Sequence, residues 1–161
     1  MKTLILVRHG KSAWDYQVGD KDRVLKERGI NDAHLVAKNY LGKAPSIDAV
    51  YSSPANRALH TSMIFLRTMD IPFSKFSVTE ALYDFSGESL GTFVHQLDNS
   101  HDQVMVFGHN NAFTYVANSL GNVYIDNVPT AGLVQLQFDT NDWNKITKGT
   151  TALTLFPKQL R

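Results

Sequence analysis

Short apolar runs alternate along the chain with stretches whose apolar residues recur every three to four positions. Residues 3–7, 48–51 and 104–107 are mostly apolar, rich in β-branched or aromatic side chains and closed by turn-forming residues, so each predicts a buried strand. Residues 133–138 predict a further strand with weaker alternation, 76–78 a short one and 151–156 an edge strand. Between them, residues 30–41 place Ala33, Val36, Ala37, Tyr40 and Leu41 on one helical face, and 56–69 do the same with Leu59, Met63, Ile64 and Leu66. Residues 89–97 and 112–120 predict two more helices. Ser53 is expected to cap the second helix with Pro54 at its first position, and Gly42 to end the first in a left-handed conformation.

Strands alternating with helices indicate an α/β fold, with a mostly parallel central sheet covered by helices on both faces. No repeat, charge block or low-complexity segment marks a boundary, and residues 1–161 are expected to form a single domain. The run at 3–7 is too short for a signal-peptide core and no run is long enough to cross a bilayer, so the expected location is cytoplasmic, away from membrane. Having no cysteine excludes disulfides, thiolate metal sites and a cysteine nucleophile. A net charge of +1 offers no field to gather nucleic acid, so any bound anion needs a local cluster.

Ligands of open α/β sheets gather where parallel strands end. Arg8, His9 and Gly10 follow the first strand. Ser52, Ser53 and Pro54 follow the second, with Arg57 in the next helical turn, and Gly108, His109 and Asn110 follow the strand at 104–107. If these strands are neighbours, two imidazoles and two guanidinium groups share one rim. Such a rim suits a phosphoryl group, because guanidinium forks match its oxygens and helix N-termini add N–H donors. The same arginines would repel a metal ion, so no metal is expected. A lone histidine after a strand is more often structural, and His34, His60, His95 and His101 take that reading because no strand end carries them.

The conjunction of these motifs resembles the histidine phosphatase superfamily. Leu6-Val7-Arg8-His9-Gly10 is similar to its signature, Ser52-Ser53-Pro54-Ala55-Asn56-Arg57-Ala58 with Thr61 to its second motif, and Gly108-His109-Asn110 to its third. The run Arg8-His9-Gly10-Lys11-Ser12-Ala13-Trp14, with Asp22-Arg23-Val24-Leu25 and Glu27-Arg28-Gly29, resembles most the SixA-like phosphohistidine phosphatases. The resemblance implies a phosphoglycerate-mutase-like fold without a cofactor. In it His9 is the nucleophile, Arg8 and Arg57 hold phosphoryl oxygens, His109 donates to the developing charge, and Ser12 and Asn110 add substrate contacts. It also implies an acidic proton donor, expected at Glu80 after the short strand, with Asp84 and Glu88 as rivals.

Departures from the pattern narrow the function. The mutase branch carries Glu and Asn where Lys11 and Asp15 stand here, and an anionic Asp15 would repel phosphate. Asn111 stands where many members have Pro. The spacings from Arg57 to Glu80 and from Glu80 to His109 are too short for the lid subdomain of larger relatives, so a minimal fold with a shallow, open site is expected. An open site favours phosphohistidine presented on a protein. A general phosphomonoesterase acting on small molecules and a non-catalytic phosphate-binding module remain as alternatives, and the presence of both His9 and His109 weighs against the module.

Overall fold

The computed structural model describes residues 1–161, and its centre is a six-stranded sheet in the order β3-β2-β4-β1-β5-β6. The strands are β1 (Lys2–Arg8), β2 (Ala49–Ser52), β3 (Phe76–Val78), β4 (Gln103–Gly108), β5 (Leu133–Phe138) and β6 (Thr150–Leu155). β1 through β4 run parallel, β5 pairs antiparallel with β1, and β6 closes the edge antiparallel to β5. The helices are α1 (Glu27–Leu41), α2 (Asn56–Thr68), α3 (Glu88–His95), α4 (Ala112–Leu120) and α5 (Pro157–Leu160).

Alternation along β1 divides the core. Leu4 and Leu6 face one side with Leu90 and Val94 of α3, Phe113 and Val116 of α4, and the buried Trp143. Ile5 and Val7 face the other, against Val36 and Tyr40 of α1 and Ile64 and Phe65 of α2. Burial on both faces explains why the parallel strands read as continuous apolar runs rather than alternating ones. No helix is long and apolar enough to cross a membrane.

Three local expectations are corrected. Gly42 is right-handed at φ −79°, because the chain leaves α1 through a tight turn in which Lys43 N–H reaches the Tyr40 carbonyl, and no positive φ is needed. Ser53 does not cap α2. That helix begins at Asn56 after an extended Ala55, and the Ser53 hydroxyl is engaged by His109 instead. α1 also starts earlier than its apolar face, at Glu27, since its first turn is polar.

Candidate active site

The ends of β2, β4 and β1 lie side by side on one edge, with Arg8 opposite Gly108 and Ser52 opposite Phe107. Backbone hydrogen bonds continue past the strands and lace the three loops together. His9 N–H donates to the Gly108 carbonyl at 3.1 Å, Ser53 N–H to the Phe107 carbonyl at 3.0 Å, and Ala131 N–H to the His9 carbonyl at 2.9 Å. The candidate imidazoles are therefore fixed by the sheet itself, and their ring centroids lie 5.3 Å apart.

His9 Nδ1 sits 2.7 Å from the Gly10 carbonyl. A carbonyl only accepts, so Nδ1 carries the ring proton and Nε2 keeps its lone pair. Burial, reinforced by the neighbouring His109, Arg57 and Arg8 and opposed by the Gly10 carbonyl, pushes the His9 pKa down to about 3. The Gly10 N–H donates to Thr61 Oγ1 at 3.0 Å, and the Thr61 hydroxyl donates to the Arg57 carbonyl at 2.7 Å, which couples the first motif to α2. Gly29 allows the same loop to lie flat on α1, since a Cβ there would stand 2.2 Å from the Lys11 carbonyl oxygen.

His109 is only 1% exposed, and its Nε2 is 2.7 Å from Ser53 Oγ. Ser53 Oγ also accepts the Ala55 N–H at 3.2 Å and can give its own proton to His109 Nε2, in which tautomer Nδ1 is an N–H donor. Burial, then the Arg57 charge, lowers the His109 pKa to about 3. Tyr83 meets the ring edge-on at 5.4 Å and Phe85 covers it at 4.9 Å. The floor is thus more enclosed than a shallow site would be, although only β3, two 3-10 turns and the short α3 separate α2 from β4 and no lid subdomain is present.

Arg57, also 1% exposed, gives Nη1 to the Asp20 carbonyl at 2.6 Å and Nη2 to Asp20 Oδ2 at 2.9 Å. Arg8 Nη1 donates to the Val128 carbonyl at 2.9 Å. Three buried side-chain nitrogens lack a partner within the protein: Arg8 Nε, Arg57 Nε and His109 Nδ1. Buried donors are nearly always satisfied, so three orphans in one cluster describe a place built to hold a group rich in acceptor oxygens.

A family model described as histidine phosphatase superfamily (branch 1) matches residues 4–88. The chain belongs to that superfamily. An uncharacterised protein of Mycobacterium tuberculosis is 29% identical over 93% of this chain and 98% of its own. A 2,3-bisphosphoglycerate-dependent phosphoglycerate mutase of Beijerinckia indica is 34% identical, but over only 44% of this chain and 36% of its own. The protein histidine phosphatase SixA, solved with tungstate, shares the fold at a TM-score of 0.83 and 22% identity, with 99% of both chains covered.

Within the superfamily frame, the structure brings Arg8, His9, Arg57 and His109 together as expected. Glu80 makes no hydrogen bond to any of the four. Glu80 is exposed at the start of a 3-10 turn and paired with Lys21 Nζ at 3.0 Å. Asp84 serves the loop before α3. Burial pushes its carboxyl up, but the N–H groups of Leu90, Ser86 and Gly87 outweigh that and hold it below the usual range. Ser12 Oγ accepts from Arg23 Nη1 at 2.6 Å, and the Asn110 side chain accepts from Thr114 in the first turn of α4 while donating to Asn127. Both shape the loops around the site.

Two residues were missed as site members. Asp20 bridges Arg57, Arg23 and the Tyr83 hydroxyl, and Arg23, 8% exposed, stacks 3.5 Å from the Trp14 ring centroid. Arg23 stands within a run that matches the family pattern, but nothing local marks Asp20 as a site residue, because its contacts with Arg57 and Tyr83 span long stretches of chain. No group of three or more His, Cys, Asp or Glu side chains is arranged to hold a metal ion.

Proposed function

We propose that the protein is a metal-independent phosphatase that moves a phosphoryl group from phosphohistidine on a protein to His9 and then to water. The observation that carries this reading is the set of orphaned donors on Arg8, Arg57 and His109 beside an imidazole whose Nε2 is unprotonated. In the first step the His9 Nε2 lone pair forms a bond to phosphorus while the bond from phosphorus to the leaving nitrogen breaks, the electron pair departing with the leaving ring. In the second step water bonds to phosphorus, the His9 N–P bond breaks, and the water's protons leave with orthophosphate. Arg8 Nε, Arg57 Nε and His109 Nδ1 donate to the phosphoryl oxygens, whose charge is the main thing such a reaction must stabilise.

Two features favour phosphohistidine over a phosphate ester. Glu80 sits on Lys21, so an alkoxide would leave without that acid beside it, whereas a protonated imidazole leaves readily by itself. The rim is uncovered and carries the exposed Trp14, which suits a phosphoryl group borne on a protein surface. SixA, crystallised with a tetrahedral oxyanion, supports the same class.

The test compares a chemically phosphorylated histidine protein with p-nitrophenyl phosphate at equal concentration in EDTA. The expected result is faster release from phosphohistidine, unaffected by the chelator, with Arg57→Ala slower by on the order of 10²-fold. Preference for the ester, or activity only after zinc or magnesium is added, would overturn the reading.

A further inference from the structure

Asp20 is the only carboxylate paired with any of the three guanidinium groups of the site. Its Oδ2 accepts from Arg57 Nη2 at 2.9 Å and from the Tyr83 hydroxyl, while its Oδ1 has only a long contact, 3.3 Å, from Arg23 Nε. The side chain is 41% exposed, so it stands at the rim while Arg57 lies beneath it. Asp20 grips the Nη1 and Nη2 end of Arg57 and leaves Nε, one of the orphaned donors, for phosphoryl oxygen. One anion therefore touches the cationic cradle from its solvent side, and Oδ1, with a single long contact, has acceptor capacity to spare.

We propose that Asp20 determines specificity for phosphohistidine, by accepting a hydrogen bond from the protonated ring nitrogen of the leaving imidazole. The inference rests on the phosphohistidine reading. Transfer to His9 Nε2 breaks the P–N bond to the leaving ring, and that is easy only while the ring's other nitrogen holds a proton. The bond's electrons then pass into a ring that departs neutral, with that proton still in place. Arg8, Arg57 and Arg23 all oppose a cationic ring beside them, while Lys21, next in the chain, is paired with Glu80 and the two charges offset each other. His109 and Tyr83, the other titratable groups facing Asp20, are neutral and offer no compensating anion. Asp20 supplies it. Burial alone would raise the Asp20 carboxyl, but the hydrogen bonds from Tyr83 and Arg57 hold it down at about 2, so the anion persists across the working range and cannot serve as a proton donor to an ester.

A residue that merely holds Arg57 in place would affect every substrate alike, whereas Asp20 should move the pH dependence of one. The quantity to measure is the single-turnover rate of transfer to His9 at saturating enzyme, whose pH dependence reports groups in the bound complex, from neutral to alkaline pH for a phosphorylated histidine peptide and for p-nitrophenyl phosphate. Asp20→Asn keeps an acceptor for Arg57 and removes the charge, with Asp20→Ser as the second uncharged variant if the first does not fold. The expected result is an alkaline limb shifted about one pH unit downward on phosphohistidine, an unshifted limb on p-nitrophenyl phosphate, and recovery of the wild-type limb in Asp20→Glu. A wild type that prefers phosphohistidine, with equal losses on both substrates and no shift in the uncharged variants, overturns the role of Asp20 and leaves the function standing. A wild type that prefers the ester overturns both.

Discussion

His9 and His109 enter the folded state neutral, and this has a measurable cost at low pH. Burial leads the causes that bring both pKa values to about 3, against about 6.5 for an unperturbed imidazole. Below about 6.5 the unfolded chain binds protons that the folded site refuses, so the stability contribution is complete above that pH and is lost as pH falls toward about 3. Each ring can contribute at most about 1.4 kcal/mol per pH unit over that window. The expected outcome is a melting temperature that falls from pH 6.5 to 4, with nitrogen NMR showing both rings neutral at pH 5. A His9 titration centred near 6.5 would contradict the buried, Nδ1-protonated assignment. At this scale the sequence was informative for Arg8, His9 and His109 at strand ends and for Arg57 in the first turn of the helix after β2, since a strand end has a known place in such a fold. It was uninformative for Asp20 and Glu80, whose surroundings depend on where two loops fall against each other.

Among the elements, the parallel strands and the central parts of the helices were legible because burial on each face leaves a simple apolar signature. Helix ends were less so. Ser53-Pro54 looks like a cap and first turn, yet the hydroxyl has a stronger partner in His109, and α2 waits until Asn56. The contact between the site loop and α1 was hidden for a similar reason, since Gly10 and Gly29 approach through backbone alone. A Cβ at Gly29 would meet the Lys11 carbonyl oxygen at 2.2 Å and nitrogen at 2.7 Å, and backbone cannot move aside as a side chain can. Gly29→Ala should therefore destabilise the protein by roughly 1–3 kcal/mol and loosen the loop that orients His9, lowering kcat more than the loss of folded protein explains. Denaturant unfolding and kcat measured on the folded fraction check this. An Ala variant with unchanged stability and kcat would show that the loop does not rest on α1.

For the whole molecule, the alternation of elements pointed to the α/β class, but the order of elements along the chain does not by itself make β2, β4 and β1 neighbours. That adjacency converts three scattered motifs into one cradle, and it became visible only with the sheet order. After β5 the edge strand β6 was legible, but the 3-10 turn at Trp143–Lys145 and the four-residue α5 are too short to leave a periodic signature. Trp143 nonetheless fills one core face, and its indole N–H donates to the His101 carbonyl, which also accepts from the buried Lys2 at the start of β1. The C-terminal part thereby steadies the strand whose other end presents His9. If the assembled cradle works as proposed, a phosphoryl group must pass through His9. Rapid quenching of the enzyme with phosphorylated substrate, followed by mass spectrometry of peptides kept at alkaline pH, should find an acid-labile phosphate on His9 in the wild type and none in His9→Ala, which should fold but not turn over. Phosphate on another residue, or turnover retained by His9→Ala, would contradict the account.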